Sequence, residues 1–91
     1  MWVNWISKAL GDLARLHGFL APVNPRAAAS IVHKLTAAPK VLATQPRIGI
    51  ALPEFAPRDV RRMVVGDYEM RYELTSEKAF ILRLWHTRED R

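Results

Sequence analysis

The chain contains no cysteine. That removes a disulfide scaffold, a thiolate metal site and a cysteine nucleophile at once, and it suits a reducing compartment. Glycine is scarce, with four in 91 residues, and none lies in a phosphate-cradling loop. No run approaches the roughly 20 apolar residues that a membrane helix needs. The opening Met1-Trp2-Val3-Asn4-Trp5-Ile6 is too short and too polar for a signal-peptide core, and no basic residue precedes it. A cytoplasmic protein without membrane contact is therefore expected. At 10.4 kDa a chain buries about 60–65% of its unfolded surface, enough for one thin core. Two lobes around a cleft and a doubly wound nucleotide-binding sheet are excluded, and residues 1–91 read as one domain. Acidic residues are the minority, 9 against 14 Lys and Arg, for a net charge of +5. Such an excess favours a polyanionic partner, either nucleic acid or an acidic protein segment. The hydrophobic fraction of 49% and a mean hydropathy of −0.09 belong to a globular chain, not a disordered one.

Trp2 to Ile6 is aromatic and β-branched, as a short strand would be. Ser7 can cap the helix that follows. Leu10, Leu13, His17 and Leu20 form one face of that helix, with Ala9 and Leu16 beside them and Lys8, Asp12 and Arg15 on the wet side. Asn24-Pro25 opens a second helix with a capping residue and a proline at the first helical position. Its stripe is Ala28, Ile31, Val32 and Leu35, and Pro39 breaks it. Val41 and Leu42 continue for one more turn. Residues 46–58, with Pro46, Pro53 and Pro57, read as a loop in which Gly49 supplies a turn.

The last third is the most regular. Val60–Val65 reads as a strand and Gly66-Asp67 as a tight two-residue turn. Tyr68, Met70, Tyr72 and Leu74 then alternate without fault with Glu69, Arg71 and Glu73. Ala79–Trp85 reads as a last strand, with Phe80, Leu82 and Leu84 on one face and Ile81, Arg83 and Trp85 on the other. The expected fold is α+β in the order β-α-α-β-β-β, a helical hairpin packed on a small, mostly antiparallel sheet.

His17 and His33 lie on helices without carboxylates at ligand spacing, so neither a metal nor a cofactor is expected. No nucleophile motif or paired-carboxylate signature occurs. What stands out is the cluster Arg61, Arg62, Arg71, Arg83, His86, Arg88 and Arg91, seven side chains in the last 31 residues. Arginine's planar fork suits phosphate and carboxylate. Arg71, flanked by Glu69 and Glu73, is expected to pair with them. Metal-free RNA cleavage needs a base, cations for the phosphorane and an acid, and Glu54, His86 and Arg61 or Arg88 could fill those roles.

Asn24-Pro25-Arg26-Ala27-Ala28, Leu42 with Gln45-Pro46-Arg47-Ile48-Gly49, Val60-Arg61-Arg62-Met63-Val64-Val65, Gly66-Asp67-Tyr68, Arg71-Tyr72-Glu73 and Ile81-Leu82-Arg83-Leu84-Trp85-His86 with Arg88 follow one another in an order that resembles the RelE/ParE toxins of bacterial type II toxin–antitoxin modules. The resemblance runs from about residue 3 to residue 91. It implies a small basic, growth-inhibiting toxin made beside an antitoxin that wraps and silences it. It also implies one of two targets. RelE-like members cleave mRNA in the ribosomal A site, and ParE-like members poison DNA gyrase. Glu69 and Met70 follow Tyr68 where the nuclease branch tends to carry arginine, and no tyrosine or phenylalanine follows Trp85. The Asn-Pro-Arg-Ala-Ala and Pro-Arg-Ile-Gly segments look more like the ParE side. The resemblance thus implies a gyrase inhibitor binding through Arg61, Arg62, Arg83, His86, Arg88 and Arg91. Its alternative is a ribosome-dependent endoribonuclease with His86, Arg61 and Arg88 as catalytic set. For the antitoxin it suggests contacts at Trp2, Trp5, Leu13 and Leu20.

Overall fold

Asn24 and Pro25 set the second helix as their chemistry requires. The Asn24 side-chain oxygen accepts the Ala27 amide at 3.0 Å, and Pro25 opens α2 (Pro25–Ala37) where its missing N–H costs nothing. At Pro39 the helix tightens into a 3₁₀ turn, Ala38–Ala43, that carries Leu42 into the core. The computed structural model, which describes residues 1–89, adds α1 (Ser7–Leu20) and five strands. The strands are β1 (Trp2–Trp5), β2 (Ile50–Ala51), β3 (Asp59–Val65), β4 (Tyr68–Leu74) and β5 (Lys78–His86). They form one sheet in the order β1-β5-β4-β3-β2. All neighbours are antiparallel except β1 and β5, which run parallel. The helices cover one face, over Leu35, Leu42, Met70, Tyr72, Ile81 and Leu84, each fully buried. No helix among the described residues is long and apolar enough to cross a membrane.

Four sequence expectations are corrected. Ser7 does not cap α1, which starts one residue earlier in backbone terms. Ile6 still donates its amide to the Ile81 carbonyl at 3.1 Å while its own carbonyl accepts the first helical bond from Leu10, so it occupies the cap position without a side-chain bond. The face of α1 is also rotated. Ala9, Asp12 and Leu16 are buried, whereas Leu10 is 51% exposed, because Asp12 is drawn inward to the edge of β5.

The third correction is in the 46–58 segment, which contains the short strand β2 paired with β3. Gly49 supplies no left-handed turn there. A Cβ at this position would lie 2.6 Å from the Tyr72 hydroxyl and 2.7 Å from the Arg62 carbonyl, so the glycine permits a close approach. The true left-handed glycine is Gly66, at φ +59°, in the β3–β4 turn.

The fourth correction is in β5. Arg71 pairs with Arg83 but Tyr72 with Ile81, so Leu82 is an extra residue in a bulge. Ile81 and Leu84 consequently both face the helices and belong to the core cluster. Phe80, Arg83 and Trp85 take the other side.

Candidate target-binding surface

The alternation in β4 turns Glu69, Arg71 and Glu73 away from the helices, and the strand pairings fix who stands beside them. Arg62 lies opposite Arg71, and Arg71 opposite Arg83. Three arginines therefore form one row across β3, β4 and β5, with neighbouring backbones about 4.8 Å apart. The next rung is Val64, Glu69 and Trp85. This face, which no helix covers, includes a shallow depression of about 490 Å³ lined by Glu69, Arg71, Arg83 and Trp85.

Like charges directly opposite one another are unfavourable, and each arginine has its own compensation. The Arg71 guanidinium carbon lies 4.8 Å from the centroid of the Trp85 ring and 5.2 Å from that of Phe55, so the cation is sandwiched between two π faces. Phe55 arrives from a 3₁₀ turn, Pro53–Phe55, just ahead of β3. Sequence reasoning paired Arg71 with Glu69 and Glu73. Only Glu69 is near, at 3.8 Å, because Glu73 is taken by Arg58 through two hydrogen bonds of 2.7 and 3.1 Å. Those bonds hold the Glu73 carboxyl below its ordinary range. Glu69 is buried and also stands 3.7 Å from Arg62. The Nε of Arg71 is buried without a hydrogen-bond partner among the described residues.

Arg83 reaches round the sheet edge to Asp12 on α1, donating from Nε at 2.7 Å and from Nη2 at 3.1 Å. Asp12 has a second task. β1 ends at Trp5, opposite Ile81, so β5 runs on without a neighbour on that side. Asp12 accepts the Leu84 amide at 2.9 Å and Arg15 donates to the Leu84 carbonyl at 3.2 Å, which supplies the bonds a longer β1 would have made. Burial works against the charge of Asp12. The bonds from Arg83, the Leu84 amide and Arg15 outweigh it, and the carboxyl is held below its ordinary value of 3.8.

The remaining candidates do not join this row. Arg61 is on the helix side, opposite Tyr72. It is fastened to Asp59 at 2.9 Å and to the Gly49 carbonyl at 3.0 Å, so it pins the segment before β2. His86 also faces the helix side, opposite Tyr68, with the two rings edge to face at 5.1 Å. Its Nδ1 accepts the Arg88 amide at 3.1 Å, and its own amide donates to Glu89 at 2.7 Å. The second oxygen of Glu89 is held by Arg15. Arg61 and His86 flank β4 on opposite sides at positions four residues apart, which puts their Cα atoms roughly 16 Å apart. Glu54 is exposed on the Pro53–Phe55 turn. Arg91 lies outside the described residues. Trp2 is 72% exposed on β1, whereas Trp5 and Leu13 are half-buried against the core. Leu20 is half-buried at the end of α1.

Sequence reasoning missed Phe55 and Asp12. Nothing in a proline-rich segment announces that its phenylalanine will roof an arginine. For Asp12 the signal was the Asp12–Arg15 spacing of three, which marks a helix-surface pair and gives no hint of a strand edge behind it.

A helical hairpin on one face of an open sheet, with a row of arginines on the other, defines a small cationic α+β protein. A family model described as the ParE toxin of the type II toxin–antitoxin system parDE matches residues 3–91, and the chain belongs to that family. Among solved structures it is similar to a chain of the chromosomal ParDE toxin–antitoxin system from P. aeruginosa. Identity is 21%, the TM-score is 0.79, and 94% of this chain and 95% of that one are covered. It is also similar to a chain of the toxin–antitoxin complex RelBE2 from Mycobacterium tuberculosis, with 26% identity, a TM-score of 0.58 and coverage of 93% and 95%. A search of curated protein sequences finds no match. Both structural likenesses bear out the expected α+β fold of a helical hairpin on a mostly antiparallel sheet.

Proposed function

We propose that residues 1–91 act as one toxin domain that poisons DNA gyrase in the cytoplasm and is silenced by a cognate antitoxin. One observation carries the choice of a binding poison over a nuclease: the arginine row and His86 lie on opposite faces of the sheet. A metal-free nuclease needs its acid, its base and its phosphorane-binding cations within reach of one phosphodiester. Here the cations that gather belong to a rigid, aromatic-buttressed face suited to gripping an acidic surface. Arg61 is engaged elsewhere. Membership of the ParE family supports the same target. The antitoxin partner is supported by the two similar structures, both described as toxin–antitoxin systems.

The ribosome-dependent endoribonuclease retains one observation in its favour, the Arg88 amide seated on the His86 imidazole. A pair of cell-free assays on antitoxin-free protein separates the two. Inhibition of gyrase supercoiling with mRNA intact on translating ribosomes is expected, and His86→Ala should keep that inhibition. Codon-phased mRNA cuts abolished by His86→Ala, with supercoiling unaffected, would overturn the gyrase reading.

A further inference from the structure

Away from the arginine row, the end of α1, the start of β4 and the end of β5 enclose a groove of about 600 Å³. Leu16, Phe19 and Leu20 form one wall, and Tyr68 and His86 the other. Phe19 is 86% exposed, and Val23, one turn beyond it, is 83% exposed. Exposed apolar surface of this kind on a small, basic protein marks a docking site. The rim is cationic. Arg15 and Arg88 line it, and its acidic member, Glu89, is already occupied by Arg15 and the His86 amide. The Arg88 side chain makes no ion pair among the described residues.

We propose that this groove takes an amphipathic segment of the silencing partner, with one large apolar side chain set between Phe19 and Tyr68 and a carboxylate on Arg88. The inference rests on the reading of the chain as an antitoxin-neutralised toxin. Charge selects the occupant. A second copy of this chain, also at +5, would bring cation to cation, whereas an acidic segment gains attraction and a faster encounter. The rings supply the apolar anchor around which interface energy concentrates. The segment enters on the helix side of the sheet, so the arginine row is not part of this contact.

The test uses the purified chain and the product of the reading frame adjacent to its own, titrated by calorimetry at low and high salt. Phe19→Asp, at a position so exposed that the melting temperature should not move, is expected to weaken binding roughly tenfold or more. It should leave gyrase inhibition by the free chain unchanged. Arg88→Glu should weaken binding and flatten its salt dependence. Equal binding by the wild type and Phe19→Asp overturns the groove while leaving the toxin reading intact, as does a loss seen with Trp2→Ala alone. No binding by the wild type overturns the reading and the groove with it. An isolated chain that scatters as a dimer and becomes monomeric on Phe19→Asp also overturns the proposal, by giving the groove to a second copy.

Discussion

Three guanidinium groups side by side across a sheet repel one another, so this protein spends stability to keep them there. The compensation is local and differs for each: Glu69 beside Arg62, two aromatic rings around Arg71, and Asp12 for Arg83. Phe55→Ala leaves Arg71 with one ring. We expect a loss of under about 1 kcal/mol of stability but a several-fold weaker inhibition of the target, because the central cation of the row is no longer held still. A thermal melt and a supercoiling titration measure the two effects. Asp12 gives the sharper test. Its carboxyl titrates below 3.8 in the folded protein, so its ionised form contributes stability at neutral pH. That contribution is lost as the pH falls below 3.8 and through the lower folded value. Asp12→Asn should cost about 2 kcal/mol at pH 7, a figure at the lower end because Arg83 and Arg15 are partly exposed and screened. It should also flatten the acid limb of a stability–pH curve measured by urea denaturation.

Among the elements, regular alternation proved the most readable signal and its interruption the least. Tyr68–Leu74 and the Asn24-Pro25 helix start were legible because each rests on a local rule, period two in one case and a cap in the other. The β5 bulge was not legible. Leu82 fits an unbroken alternation as well as it fits a bulge, and only the pairing partner on β4 distinguishes them. A two-residue β2 is too short to show any period. The arginines of the row could be collected from the sequence, but which of them share a face depends on that bulge and on strand order. Arg61 and His86 share the sequence cluster but stand on the helix side, away from the row. An isolated glycine between prolines reads as a turn, and nothing in the sequence at Gly49 distinguishes a turn from a close approach. Its actual role predicts a different phenotype. Gly49→Ala must push the Tyr72 hydroxyl away from a contact of 2.6 Å, and the same hydroxyl bonds the Gly49 amide and the Pro46 carbonyl at 2.8 Å each. We expect a loss of about 1–3 kcal/mol in chemical denaturation, and Tyr72→Phe should lose a similar amount by leaving both backbone groups unsatisfied.

For the molecule as a whole, the sheet order places the most stable part of the fold at its middle. β5 and β4 are paired on both sides, whereas β1 and β2 are edges. Native-state hydrogen exchange should find the deepest protection at Met70, Tyr72 and Ile81 and the earliest opening at β2. Equal protection of β2 and β4 would contradict this account of where the stability lies.

The parallel pairing of β1 with β5 has a further consequence for synthesis. β1 precedes the other four strands along the chain and its sheet neighbour β5 follows them, so a nascent chain holds an unfinished sheet until β5 has been added. A ribosome that stops early releases a fragment lacking the strand that carries Arg83 and Trp85 and against which β1 must lie. A chain cut short before β5 is therefore expected to leave its sheet unclosed, which limited proteolysis of a truncation ending at Thr75 would report.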